Sequence, residues 1–176
     1  GLDSLGTSFG GNPELLTFWQ RNGLVPVRLG LSREASSGEL PLQMLRGVSK
    51  PGLTLTDDLR RRLAEHWLTL VPHVWIDLDA RLLLQLTASL PAIELLNDDD
   101  RRDLGSFAFG YRGFDLTLPV LRRLLLTAGV AEWLLASADA ELSELWARAV
   151  LQGWDWARLR RGSLCRGREE GEAHLR

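Results

Sequence analysis

The sequence predicts an α+β protein in which a strand–helix–strand–strand unit precedes an all-helical segment. Within the first 50 residues, short apolar runs are separated by glycine-containing turns, which is typical of strands. After residue 50, apolar side chains recur at helical spacing and helix-start residues precede them. Because the pair Pro51-Gly52 is a strong turn signal, the predicted domains cover residues 1–50 and 51–176.

The first domain is expected to contain three strands and one helix. A strand over residues 2–9 runs into the turn Gly10-Gly11. Asn12 fits the N-cap of a helix and Pro13 its first residue, while Gly23 fits the position just after the helix C-terminus. Two further strands are expected over residues 24–31 and 40–45, with a polar loop over residues 32–39.

The second domain is expected to contain about five helices. Thr56-Asp57-Asp58 predicts the cap of the first, Asn97 the cap of the third and Thr117-Leu118-Pro119 the start of the fourth. The second is expected over residues 79–89 and the fifth over residues 138–152. Large aromatic side chains at helical spacing are predicted to lie in the core. This set consists of Trp67, Trp75, Phe107, Tyr111, Phe114, Trp133 and Trp146.

Composition and charge exclude several classes of protein. No apolar run approaches the ~20 residues that a membrane-spanning helix needs, and no signal peptide is visible, so the chain is expected to be cytoplasmic. The net charge is −2, so any nucleic-acid contact must depend on local basic clusters. Cys165 is the only cysteine and is expected to be an inert thiol. His66, His73 and His174 share no metal-ligand spacing, and no metal site is expected.

One stretch of the first domain carries a family resemblance. Its signature combines Ser8-Phe9-Gly10, Glu14-Leu15-Leu16, Phe18-Trp19, Gly23 and Arg28 with the loop Arg33-Glu34-Ala35-Ser36-Ser37-Gly38-Glu39. In this order, these residues resemble the end of the acetyltransferase domain in the bacterial tRNA(Met) cytidine acetyltransferases. The resemblance covers residues 4–46 well and is weaker over the tail. It implies the closing strand–helix–strand–strand part of a GNAT fold, followed by a helical tRNA-binding tail.

The resemblance also implies acetyl-CoA as the coenzyme and two contacts for it on the first helix. Glu14 and Arg21 stand at the motif positions at which the family contacts acetyl-CoA. They are two helical turns apart on one side of the helix, and an arginine can pair a CoA phosphate as a cationic fork. Without the resemblance, both would be solvated charges at the helix ends. No catalytic residue is predicted, and Glu34 and Glu39 are expected to be surface charges of the loop.

The activity of the whole enzyme is a further implication of the resemblance. Acetyl would pass from acetyl-CoA to N4 of the wobble cytidine in the anticodon region of elongator tRNA(Met), and a helicase-like module would use ATP with Mg²⁺. That module is absent from this sequence, which does not begin with methionine and is expected to be a piece of a longer protein, inactive alone. The expected partner is tRNA, and neither DNA nor a membrane is expected.

Five arginines are the predicted RNA contacts. Four lie in a basic stretch after Trp154 and Trp156, in which guanidinium groups would attract phosphates and indole rings would stack on bases. The fifth follows an aromatic segment of the tail. Other arginine pairs adjoin aspartates and are expected to be solvated helix faces. The predicted set is Arg112, Arg158, Arg160, Arg161 and Arg166.

Two other functions stay open from the sequence. A non-enzymatic helical interaction module would bind neither CoA nor tRNA. A GNAT acetyltransferase acting on protein or small amines would use the coenzyme without depending on RNA, and the tail would then serve oligomerisation. A phosphate-binding Gly-x-x-x-x-Gly-Lys-Ser/Thr loop upstream in the gene would favour the RNA enzyme.

Overall fold

The computed structural model describes residues 1–92 and 96–176, which form two compact units. The first unit comprises Gly1–Trp67 with Ser89–Pro91, and the second comprises Leu68–Ala88 with Ala92–Arg176. The mixed α+β architecture predicted from the sequence is confirmed. The first unit continues past residue 50 into a long helix. The domain division at residue 50 stays a prediction.

Three strands and one helix open the first unit, in the predicted order. They are β1 (Ser4–Gly10), α1 (Pro13–Arg21), β2 (Val25–Leu29) and β3 (Pro41–Gly47). The strands form an antiparallel sheet in the order β1-β3-β2, so β3 pairs with both of its neighbours. Along β3, Leu42 and Met44 are buried and Gln43 between them is exposed, which gives this strand one core-facing side.

Local capping explains where α1 begins and ends. The Asn12 side chain accepts a hydrogen bond from a first-turn amide at 2.9 Å, and Pro13 occupies the first helical position. Gly23 follows the helix with φ of 81°, and the amides of Gly23 and Leu24 donate to carbonyls of the last turn. These two bonds form a Schellman cap, whose left-handed position favours glycine. The predicted cap and the predicted glycine are therefore confirmed.

The turn predicted at Pro51-Gly52 is wrong, because these residues lie in the first turn of α2 (Lys50–Val74). The Ser49 hydroxyl accepts a hydrogen bond from the Gly52 amide at 3.1 Å and donates to the Asp3 carboxylate at 2.6 Å. A proline is tolerated there because first-turn amides have no helical partner. Thr56 is not a cap either, since it is buried within α2 and its hydroxyl donates to the Gly52 carbonyl.

The described residues after α2, nearly all of which belong to the second unit, form helices and one π-helical segment. They are α3 (Ala80–Ser89), α4 (Asp98–Ala108), α5 (Phe114–Leu125), α6 (Val130–Ala136), α7 (Ala140–Leu145), the π-helical segment (Trp146–Leu151), α8 (Trp156–Arg161) and α9 (Arg168–Leu175). Two of the predicted helices are confirmed by their caps. Asp79 caps α3, and Asn97 with Asp100 forms a capping box on α4.

Two other predicted boundaries in this unit are wrong. Helix α5 begins at Phe114 and not at Thr117, whose hydroxyl donates to the Gly113 carbonyl at 2.8 Å. A threonine hydroxyl can donate to a carbonyl one turn back inside a helix, and it can also cap a helix N-terminus. The presence of Thr117 therefore did not identify the start of α5. The predicted fifth helix is divided, because α7 ends at Leu145 and the backbone then adopts π-helical hydrogen bonding.

Most aromatic side chains predicted as core are buried. They are Trp67 in the first unit and Trp75, Phe107 and Phe114 in the second, while Trp146 is half-buried. The prediction is wrong for Trp133 and Tyr111, which are 66% and 87% exposed. Trp133 lies outside the face of α6 that Ala131 and Leu134 bury. Tyr111 follows Gly110, whose φ of 81° ends the helical spacing on which that prediction rested.

The π-helical segment brings two polar side chains against the loop between α2 and α3. Gln152 is fully buried, and its amide nitrogen donates to the Trp75 carbonyl at 3.0 Å and the Leu78 carbonyl at 2.8 Å. Arg148 donates to the same Leu78 carbonyl at 2.7 Å and to the Gln152 side-chain oxygen at 2.9 Å. Because a buried amide is costly without partners, this network fixes the loop to the segment.

We expect Gly52→Ala to destabilise the first unit. An added Cβ would collide with the Asp3 carbonyl oxygen, and a backbone shift would break the Ser49 cap that also holds Asp3. Overpacking costs about 1–3 kcal/mol, so the free energy of unfolding should fall toward the upper end of that range in a urea titration followed by circular dichroism. Thr54→Ala, at an exposed position of α2, should change it by less than about 0.5 kcal/mol. Equal effects of both substitutions would contradict the tight contact.

Candidate functional site

The loop between β2 and β3 folds onto the junction of β1 and α1. The Gly11 amide donates to the Leu40 carbonyl at 2.8 Å, which ties the end of the loop to this junction. A Cβ on Gly10 would meet a carboxylate oxygen of Glu39, so this side chain lies directly against the end of β1. The half-buried Glu39 carboxylate therefore lies close to the start of α1.

Internal hydrogen bonds give the same loop a defined conformation. The Arg33 guanidinium donates to the Gly38 carbonyl at 2.7 Å, and the Ser37 hydroxyl donates to a Glu34 carboxylate oxygen at 3.2 Å. The Glu34 amide donates to the Glu39 carbonyl at 2.9 Å. Gly38 has φ of 70°, a conformation that favours glycine. The loop residues that carry the resemblance thus form one ordered structure beside α1.

Glu14 and Arg21 lie near opposite ends of α1 and are both exposed. Seven residues of helix separate them by about 10 Å. In the part of the chain that the structure describes, neither side chain forms an ion pair, so both can meet a ligand without first breaking one. Their role as acetyl-CoA contacts stays a prediction.

The two tryptophans of the basic stretch are engaged within the second unit. The Trp154 indole nitrogen donates to the Ile76 carbonyl at 2.8 Å, and the Arg148 and Arg158 guanidinium groups lie 4.5 and 3.9 Å from its ring centroid. The Trp156 ring meets the Phe114 ring edge-on, with centroids 5.2 Å apart. Both rings therefore use part of their stacking surface in internal contacts, which the sequence could not show.

The predicted RNA-contact arginines divide into internal and exposed ones. Arg158 also pairs with Asp77, and Arg112 reaches the Leu116 carbonyl at 3.2 Å and the Asp103 carboxylate at 3.5 Å. Three others point into solvent. They are Arg160 and Arg161, which form no ion pair among the described residues, and Arg166, which lies 3.4 Å from Glu170 with 91% of its side chain exposed. RNA contact stays a prediction for all five arginines. The three exposed ones suit it best, because a phosphate can reach their guanidinium groups.

Cys165 is buried, and burial raises the pKa of its thiol above the ordinary value of 9.0. A backbone hydrogen bond from Gly167 opposes this rise in pKa, and the nearby Glu170 carboxylate adds to it. In residues 1–92 and 96–176, no three His, Cys, Asp or Glu side chains are grouped as metal ligands. Within the same residues, no helix is long and apolar enough to cross a membrane.

Comparison with known proteins finds relatives that share one name, tRNA(Met) cytidine acetyltransferase TmcA. The Yersinia pestis protein is 39% identical over 124 residues, which cover 70% of this chain and 17% of the relative. The Pectobacterium atrosepticum protein is 33% identical over 186 residues, covering 99% and 24%. The Methanopyrus kandleri protein is 32% identical over 168 residues, covering 88% and 18%. No family model matches the sequence.

The fold and the loop together define an α+β protein in which a strand–helix–strand–strand unit precedes a helical segment. Similarity to one relative extends along 99% of the chain, so it includes both parts. The chain belongs to the tRNA(Met) cytidine acetyltransferase family, as the resemblance predicted. It spans about a fifth of the length of these relatives.

We expect the Cys165 thiol to react slowly in the folded protein. Because its pKa is raised by burial, the thiolate fraction at pH 7.5 is small. The buried neutral thiol also stabilises the folded state below about pH 9, and this stabilisation is lost as the pH rises through the raised pKa. Alkylation by iodoacetamide, read by mass spectrometry, should therefore be much slower than in the urea-unfolded chain. Since the chain has one cysteine, the signal has a single source. Equal folded and unfolded rates would show an accessible thiolate.

Proposed function

We propose that this chain is part of an enzyme that transfers acetyl from acetyl-CoA to N4 of the wobble cytidine in elongator tRNA(Met). The supporting observation is the similarity along 99% of the chain to a protein named tRNA(Met) cytidine acetyltransferase. In the proposed reaction, the N4 amine forms a bond to the thioester carbonyl carbon, the carbon–sulfur bond breaks, and coenzyme A leaves as the thiol. ATP with Mg²⁺ acts at a helicase-like module outside this sequence, and the enzyme works in the cytoplasm.

The first unit contributes to the acetyl-CoA cleft in this proposal. The order β1-β3-β2, with α1 following β1, supports its assignment as the closing part of a GNAT-type sheet. The exposed Arg21 guanidinium suits a CoA phosphate, because a planar cationic fork donates two parallel hydrogen bonds to phosphate oxygens. Glu14, in the first turn of α1, suits hydrogen-bond donors of the coenzyme such as the pantetheine amides. Acetyl-CoA would supply the activated acyl group, and Glu14 and Arg21 would hold the coenzyme.

The second unit contributes tRNA binding. The supporting features are the exposed guanidinium groups of Arg160 and Arg161 on α8, together with Arg166 in the following loop. Such groups attract the phosphate backbone and release its counterions, which makes binding sensitive to salt. Because the net charge of the chain is −2, this attraction is local and does not come from the whole molecule.

Arg21→Ala should weaken acetyl-CoA binding by the complete gene product that contains this chain. Loss of a hydrogen bond to a charged group costs about 1.5–3 kcal/mol, so we expect Kd to rise about tenfold or more in isothermal titration calorimetry. Arg21→Lys should restore only part of the affinity, because lysine lacks the fork. Gln20→Ala, at the neighbouring exposed position, is the control. If Arg21→Ala and Gln20→Ala bind alike, the coenzyme role of Arg21 is lost.

The double substitution Arg160→Ala and Arg161→Ala should reduce the salt dependence of tRNA(Met) binding. Each lost phosphate contact lowers the slope of log Kd against log salt by about 0.7–0.9, so two contacts should lower it by about 1.5. Filter binding between about 50 and 200 mM salt measures this slope. The matched control removes two other exposed arginines, Arg62 and Arg81, which are unpaired among the described residues. An unchanged slope in the α8 variant would remove these contacts from the proposal.

A further inference from the structure

The carboxylate of Glu39 fills a gap left by the missing side chain of Gly10. A Cβ on Gly10 would meet the Oε2 atom of this carboxylate, and the Ser37 hydroxyl oxygen lies 3.0 Å from the same point. Gly10 pairs with Pro41 in the ladder between β1 and β3, and Pro41 lies two residues before the exposed Gln43 on the same side of β3. The gap, and the carboxylate in it, therefore lie on the solvent-facing side of the sheet.

Hydrogen bonds fix the backbone on both sides of this carboxylate. The Glu39 amide donates to the Ser37 hydroxyl at 3.2 Å, and the Glu39 carbonyl accepts the Glu34 amide at 2.9 Å. The next carbonyl, that of Leu40, accepts the Gly11 amide at 2.8 Å. Because its backbone is held at both ends, the side chain reaches the gap without the ordering of a loop, which is the preorganisation that a reacting group needs.

The two carboxylates of this loop differ in how the fold uses them. Glu34 accepts the Ser37 hydroxyl at 3.2 Å and so helps to shape the loop. The Glu39 carboxylate is half-buried, yet within residues 1–92 and 96–176 it accepts no hydrogen bond and forms no ion pair. Removing a charged group from water without a partner costs free energy. Folding therefore gives no reason for this carboxylate, whereas a ligand that donates a hydrogen bond to it does.

A row of hydrogen-bonding side chains crosses the sheet beside the gap. Ser8 pairs with Gln43 in one ladder and Arg28 pairs with Gln43 in the other, so the three side chains lie in register on the solvent-facing side. All three are exposed, and Arg28 forms no ion pair among the described residues. Neighbouring strands are about 5 Å apart, and Ser8 lies about 7 Å along β1 from Gly10. A carboxylate acceptor therefore lies next to a row of donors on one face of the sheet.

These groups match the hydrogen-bonding pattern of cytosine. Its N4 amine is a donor that a glutamate carboxylate accepts, and its N3 and O2 atoms are acceptors for hydroxyl, amide or guanidinium groups. An arginine at the end of such a row also suits a phosphate. The side chain of a protein lysine would use the carboxylate but not the donors beside it, so the row favours a nucleoside as the acceptor of the acetyl group.

We propose that Glu39 is the catalytic proton acceptor for the N4 amine of the acceptor cytidine. This proposal rests on the proposed function and deepens it by naming the base that the transfer needs. As the bond from N4 to the carbonyl carbon forms and the carbon–sulfur bond breaks, N4 gives one proton to the Glu39 carboxylate, and the leaving thiolate takes one proton to become coenzyme A. The carboxylate lies against Gly10, and the proposed coenzyme contact Glu14 follows in the first turn of α1, so both are built around one strand–helix junction.

The test compares Glu39→Gln and Glu34→Gln in the complete gene product that contains this chain. Glu39→Gln keeps the shape of the side chain but cannot accept the proton, so kcat for acetylation of tRNA(Met) should fall at least about 100-fold. The Kd for tRNA(Met) and the KM for acetyl-CoA should change less than about threefold, because binding does not need the proton transfer. Glu34→Gln is the matched control and should keep kcat within about twofold, since its amide oxygen can still accept the Ser37 hydroxyl.

Chemical rescue separates a proton acceptor from a residue that only supports the loop. Glu39→Ala should lose as much activity as Glu39→Gln and regain part of it when formate is added, because a small carboxylate can occupy the gap and take the proton. Equal kcat in Glu39→Gln and the unsubstituted protein would overturn the proposal and leave the proposed function intact, as would an inactive Glu39→Ala that formate does not restore. Absence of tRNA(Met) acetylation by the unsubstituted gene product would instead overturn the proposed function itself.

Discussion

The arrangement of the helical unit depends on the buried side chain of Gln152. Its amide nitrogen donates to the Trp75 and Leu78 carbonyls at once, in the loop that follows α2, where the Trp75 carbonyl also accepts the Leu78 amide. The π-helical segment makes this possible, because its wider turn, closed by the Gln152 amide on the Ala147 carbonyl, places Gln152 and Arg148 together. Residues 70 to 77 positions apart in sequence are joined by these few bonds.

The exposed arginines of α8 depend on the same network. Arg148, bound to Gln152, lies over the Trp154 ring, and the Trp154 indole nitrogen donates to the Ile76 carbonyl in the loop that Gln152 holds. Arg158 lies over the same ring and pairs with Asp77 of that loop. Helix α8 is thereby fixed at its start. Further along the helix, Leu159 is buried while Arg160 and Arg161 are exposed, so the internal contacts of this helix come from Arg158 at its anchored end.

The parts of the fold that the sequence predicted well depend on local chemistry. The Asn12 and Asn97 caps and the glycine after α1 were predictable, because each satisfies backbone groups within one turn. Thr56 and Thr117 were misread because a threonine hydroxyl bonds a carbonyl inside a helix as readily as it caps one. At the candidate site, the basic stretch itself was visible in the sequence. Which of its arginines are internal was not, because Asp77 is 81 residues from Arg158.

The turn at the end of α4 shows that a Schellman cap can form without packing of the residue that follows its glycine. The Gly110 and Tyr111 amides donate to the Phe107 and Ser106 carbonyls, and Tyr111 is 87% exposed. A Schellman cap satisfies its carbonyls with backbone amides alone, so the side chain after the glycine can be withdrawn from packing without losing a hydrogen bond. Burying a large apolar side chain contributes about 1.5–3 kcal/mol, and Tyr111 forgoes most of this while Leu24 realises it. Arg176 and Arg112 restore rigidity to the turn by bonding its carbonyls and the adjoining helices. The turn is therefore stabilised by polar contacts around it and does not depend on burial of the side chain that follows its glycine.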